Sequence, residues 1–136
     1  MNVRYSKAYI DRAIEQEDLP TLYDVVRTIS AKRKLPEQLV LFLRLWEWIG
    51  STRSGVWQYY ESVPISEFDY VSAMLDRGAL QELATRYRDG MACWEESRYC
   101  NGLDAWIETN ESMLEVYLMQ LINPHQSSLY PTLNGA

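Results

Sequence analysis

Residues 36–50 constrain the fold more than any other stretch of this chain. Between Pro36 and Gly50, the residues Leu39, Val40, Leu41, Phe42, Leu43, Leu45, Trp46, Trp48 and Ile49 leave almost no polar face. Only Glu37, Arg44 and Glu47 supply a narrow charged stripe. A helix that is apolar nearly all round belongs inside a globule. Proline at its start and glycine at its end match the usual asymmetry of helix termini. The run is interrupted by Arg44 and Glu47 and falls well short of the roughly 20 apolar residues that span a bilayer. The expected fold class is all-α, with a buried central helix from about Pro36 to Ile49.

The remaining periodicity is helical as well. Ser6 to Gln16 carries Ile10, Ala13 and Ile14 on one side. A second helix follows the cap Asp18 and the early Pro20, turns Leu22, Val25, Val26 and Ile29 inward, and ends in Lys32-Arg33-Lys34, where cations suit the helix dipole. After a polar loop, Ser51 to Gly55, comes a short aromatic helix, Val56 to Tyr60. Ser66 is the expected cap of the next, whose inner face is Phe68, Val71, Met74 and Leu75, with Gly78 as its stop. A long helix from Ala79 to about Ser97 contains Gly90 as a candidate bend. Asn101-Gly102 reads as a turn. The last segment places Leu103, Trp106, Ile107, Leu114, Tyr117, Leu118 and Leu121 on one face, with Asn110 as a candidate division. These elements make six or seven helices in a single compact domain over residues 1–125. Residues 126–136 read as a weakly ordered tail. A length of 136 residues suits one domain, and 47% hydrophobic residues exclude a wholly disordered chain.

Chemistry is sparse. His125 is the one histidine, beside a proline at the end of the last helix, and reads as a helix-end residue rather than an acid–base catalyst. Cys93 and Cys100 have no second ligand pair near them and read as free thiols, so neither zinc nor another metal is expected. No phosphate-binding glycine loop and no nucleophile elbow is present. An enzyme is therefore not expected, nor a cofactor. Without a basic start leading into an apolar core, no secretory signal is expected, and the cytoplasm is the expected compartment.

Charge is distributed unevenly. The net charge is −6, which works against direct nucleic-acid or anionic-membrane binding. Residues 1–36 hold seven basic and five acidic side chains, whereas residues 99–136 hold four acids and neither lysine nor arginine. Those acids are Asp104, Glu108, Glu111 and Glu115. On one uninterrupted helix they would form a stripe with steps of about 4.5–6 Å along the axis. That spacing is comparable with the phosphates of a DNA strand, about 3.4 Å apart axially and more along the backbone. Glu95 and Glu96 would extend the surface. Such a face suits a basic partner, for instance the groove of a DNA-binding protein, though it also suits a merely solubilising helix surface. A second reading places a small-ligand or catalytic pocket at Trp57, Gln58, Tyr59 and Tyr60, where aromatics surround one amide. A third has the aromatic helices pack across the two-fold axis of a homodimer.

One resemblance adds to this. The run Arg53-Ser54-Gly55-Val56-Trp57-Gln58-Tyr59-Tyr60 follows an apolar helix and precedes a helix ending in Gly78-Ala79, with Leu83 beyond. In this arrangement Leu39 to Met91 resembles a bacterial family of small helical domains named after a DNA-mimic protein. Gly55, Gln58, Tyr59 and Tyr60 fit its loop, while Arg53, Ser54 and Val56 stand where the family has asparagine, glycine and phenylalanine. The resemblance implies an all-α fold and a non-enzymatic protein that occupies the DNA-binding surface of a bacterial partner.

Overall fold

The computed structural model describes residues 5–78 and 80–131. Among them the chain is all-helical, with eight α-helices and no strand. The helices are α1 (Lys7–Glu15), α2 (Leu19–Ser30), α3 (Glu37–Gly50), α4 (Trp57–Ser62), α5 (Ile65–Asp76), α6 (Gln81–Cys93), α7 (Ser97–Thr109) and α8 (Glu111–Ile122). Two 3₁₀ segments, Ser51–Arg53 and Asn123–Leu129, complete the set. Contacts group the chain into two compact units. The first comprises Met1–Trp46 with Ser112–Ala136, and the second Glu47–Glu111.

In the first unit, local chemistry sets the helix ends. The Ser6 side chain accepts from the Tyr9 N–H, and Asp18 accepts from the Thr21 N–H, so both caps are filled as their residue types require. Between them Glu17 adopts φ 51°, with Glu17 N–H bonded to the Ile14 carbonyl and Asp18 N–H to that of Ala13. That pairing closes α1 in a Schellman turn, with glutamate where glycine is usual. Helix α2 stops at Ser30, so Lys32, Arg33 and Lys34 lie beyond it rather than in its last turn. Ile10, Leu22, Val25, Val26, Leu39 and Phe42 are fully buried, as the periodicity required.

Gly50 does not end α3 as a left-handed cap. Its φ is −66°, and the chain continues directly into Ser51–Arg53. The left-handed glycine is Gly55, at φ 111°, where the chain turns into α4. Helix α5 begins one residue before Ser66, with extended Pro64 at its cap position, so Ser66 lies within the first turn and caps nothing. Its inner face is the expected one, with Phe68, Val71, Met74 and Leu75 all buried. The long helix expected from Ala79 to Ser97 ends at Cys93, and Ala79 itself lies outside the described residues. Asn101-Gly102 makes no turn. Both residues are exposed positions inside α7, whose burial of Cys100, Leu103 and Ile107 outweighs the roughly 1 kcal/mol that a helical glycine costs.

The second unit is organised round Tyr60. Its hydroxyl donates to the Tyr87 carbonyl at 2.7 Å and accepts from the Trp48 indole N–H at 2.8 Å. Tyr59 and Tyr87 share a hydroxyl–hydroxyl bond of 2.6 Å. The rings of Trp48, Tyr59 and Phe68 each lie 5.3–5.8 Å from that of Tyr87 in edge or stacked contacts, within the favoured range for aromatic pairs. Gly90 makes this possible. It sits three residues beyond Tyr87 on α6, so its missing side chain uncovers the Tyr87 carbonyl, and a Cβ there would lie 2.2 Å from the Tyr60 phenol. Gly90 is a close-approach residue inside a continuous α6, not a bend.

Two glycine substitutions should therefore act oppositely. Gly90→Ala is expected to cost about 1–3 kcal/mol through overpacking, in spite of alanine's better helix propensity. At Gly102 an added Cβ meets nothing within 4 Å. Gly102→Ala should therefore stabilise by about 0.5–1 kcal/mol. Thermal unfolding followed by circular dichroism checks both signs.

Candidate functional site

The four acids of the closing segment are not carried by one helix. Helix α7 ends at Thr109, and Asn110 caps it at φ −103°, ψ 17°, with both its N–H and its side-chain amide bonded to the Trp106 carbonyl. The uninterrupted stripe is thus replaced by two pairs. Asp104 and Glu108 belong to α7, Glu111 and Glu115 to α8. The break is local: Asn110 leaves the helical conformation while its main-chain N–H and side-chain amide both stay on the Trp106 carbonyl.

Asp104 also has a different task from its companions. It is half-buried, and its Oδ1 accepts the Val56 N–H at 2.9 Å, taking up an orphan donor just ahead of α4. Burial pushes its carboxyl above the ordinary aspartate range, opposed by the smaller effect of the Val56 bond. Glu95, Glu96, Glu108, Glu111 and Glu115 are all exposed. Among the described residues, no ion pair engages them. Glu108 lies in the last turn of α7, where the helix dipole disfavours a negative charge, whereas Glu111 opens α8, where the dipole favours one.

The aromatic segment divides between core and surface. Tyr59 and Tyr60 are buried, with hydroxyls held as described above, and burial drives the Tyr60 phenol far above its usual range. Trp57 is 39% exposed, its indole lying over Gly55. Gln58 is exposed and clips the preceding turn, its amide donating to the Ser54 carbonyl at 3.1 Å. The four side chains therefore do not converge on one space.

Cys93 and Cys100 are both free, and burial raises both thiols. Cys100 donates to the Trp94 carbonyl. Among the described residues, no group of three or more His, Cys, Asp or Glu side chains is arranged to hold a metal, and no helix is long and apolar enough to cross a membrane. His125 is half-buried at a kink within the 3₁₀ segment.

A further constellation joins the two ends of the first unit. Asp11 on α1 accepts from Lys7 Nζ at 3.0 Å, from Gln126 Nε2 at 2.7 Å and from the Tyr130 hydroxyl. Lys7 Nζ lies 4.9 Å from the Tyr130 ring centroid. Arg33 donates to the carbonyls of Ser128 and Tyr130. The residues from Gln126, read as a weakly ordered tail, thus form a 3₁₀ turn with Leu129 buried, and 132–136 lie outside the described residues. The Tyr130 hydroxyl, followed by Lys7 and Gln126, holds the Asp11 carboxyl below its ordinary range. Lys7 and Asp11 at i, i+4 were a visible signal; partners more than 90 residues away were not.

No family model, curated protein or solved structure matches the chain.

The Asp104 shift has a testable sign. A carboxyl raised on folding favours the fold most while protonated, and that contribution is lost as pH rises through its folded value. Asp104→Asn keeps an acceptor for Val56 without the charge. Its stability relative to the unaltered chain should be greatest near neutral pH and shrink toward about pH 4, in denaturant unfolding at several pH values. A gap that does not change with pH would contradict this role.

Proposed function

We propose that this chain is a non-enzymatic acidic interaction module whose exposed carboxylates engage a basic protein surface, a DNA-binding face being the chemistry they suit best. The observation that carries the reading is the set Glu95, Glu96, Glu108 and Glu111. All four are exposed in the second unit, and Lys and Arg are absent from residue 99 onward. Glu115, also exposed, lies on α8 in the first unit. Asp104, committed to Val56, drops out of the face.

The position of Glu108 favours the same reading. At the C-terminal end of α7 its charge opposes the helix dipole, so helix stability gives no reason for it. The resemblance of Leu39–Met91 to the DNA-mimic family points the same way. Such a complex would form quickly and be screened steeply, because exposed charges interact over only about 8 Å at physiological ionic strength.

The test is capture from an extract of the source cells on the immobilised chain, with duplex DNA or salt as eluant. The expected outcome is a retained basic protein released by either. Glu108→Lys with Glu111→Lys should abolish retention while leaving thermal stability nearly unchanged, since the two dipole effects oppose each other at about 0.3–1 kcal/mol each. Undiminished capture by that variant, or a retained protein indifferent to duplex DNA, would dispose of the reading.

A further inference from the structure

The first unit holds its own C-terminal segment in the manner of a bound peptide. Arg33 gives its guanidinium to two main-chain carbonyls, those of Ser128 and Tyr130, which is recognition of backbone rather than of sequence. Sequence is read by Asp11, whose one carboxylate oxygen takes both the Gln126 amide and the Tyr130 hydroxyl. Those two side chains are four residues apart and are joined by a 2.8 Å bond of their own. Lys7 balances the Asp11 charge and lies over the tyrosine ring, a cation–π position. Leu129 is the apolar anchor, 1% exposed. Backbone clamp, side-chain reader and buried anchor are the three parts of a peptide-binding site.

We infer that Lys7, Asp11 and Arg33 form a peptide-recognition site, filled in cis by Gln126–Tyr130, whose ligand class is a short segment with glutamine four residues before tyrosine and leucine just before the tyrosine. The polar groups of the clasp are exposed or half-buried, whereas Ile10, Leu22, Val25 and Val26 on the inner faces of α1 and α2 are sealed, so it opens at lower free energy than the core.

The test uses the full chain carrying Leu129→Ala and Tyr130→Ala, which vacates the site. A fluorescent, end-blocked peptide of residues 123–131 is titrated against it. Binding should be at least about tenfold tighter than to the unaltered chain, where the cis segment competes. Adding Asp11→Asn to the vacated chain, or replacing tyrosine by phenylalanine in the peptide, should weaken binding by about tenfold or more, as expected for loss of a hydrogen bond to a charged group. No saturable binding to a folded vacated chain, or binding indifferent to Asp11→Asn, would overturn the inference. A second measurement holds even if that variant does not fold. In Tyr130→Phe, amide exchange at Ser127–Tyr130 should accelerate about tenfold while α2 amides keep their rates. Unchanged exchange at the segment, or acceleration shared with α2, would overturn it too.

Discussion

A phenol sealed inside a helical core must find both a donor and an acceptor, because an unpaired buried hydroxyl costs about 1–3 kcal/mol. Tyr60 finds them in the Trp48 indole and the Tyr87 main-chain carbonyl. The second requirement is the harder one. A carbonyl within a helix is screened by the side chains of the following turn, and only a residue without a Cβ at position 90 lets the phenol reach it. The choice of tyrosine at 60, tryptophan at 48 and glycine at 90 is therefore one choice made three times. The ring contacts of Tyr59, Phe68 and Tyr87 build outward from it.

This arrangement determines what remains for function. The aromatic segment spends its polar tips inside the fold, so the feature that looks most like a pocket in the sequence becomes the centre of the core. Asp104 is drawn in likewise, serving the Val56 amide. The functional reading then rests on charges that no ion pair among the described residues uses, chiefly Glu108 and Glu111. In the first unit the same logic runs the other way, since Asp11, half-buried and accepting from three donors, gathers a distant segment of the chain.

How much of this was legible in the sequence depended on the range of the interactions concerned. Apolar periodicity identified the buried faces of α2, α3 and α5 because burial follows a helical repeat that a reader can count. Asp18 announced its helix because a cap acts within three residues. Gly90 misled, since a close-approach glycine and a bend look identical until the side chain 30 residues earlier is in place. Asn101-Gly102 misled because turn propensity was outweighed by burial of Cys100, Leu103 and Ile107 on the other side of α7. The acidic positions were readable, but their division was not, for it depends on how the Asn110 amide closes α7. The clasp was invisible for the plainest reason: Arg33 and Asp11 meet partners at the far end of the chain.

The central claim is that the Tyr59–Tyr60 pair belongs to the core, with both hydroxyls held inside the fold. The chain has ten tyrosines, so the measurement is an alkaline titration of phenolate absorbance in the unaltered protein, from which that of Tyr60→Phe is subtracted. Burial places the Tyr60 phenol so far above its usual value that the difference should stay flat while helicity persists, and appear only as the fold is lost. A phenolate in the difference curve near pH 10, the ordinary tyrosine value, with helicity intact would mean that Tyr60 is open to solvent and that the account of the core is wrong.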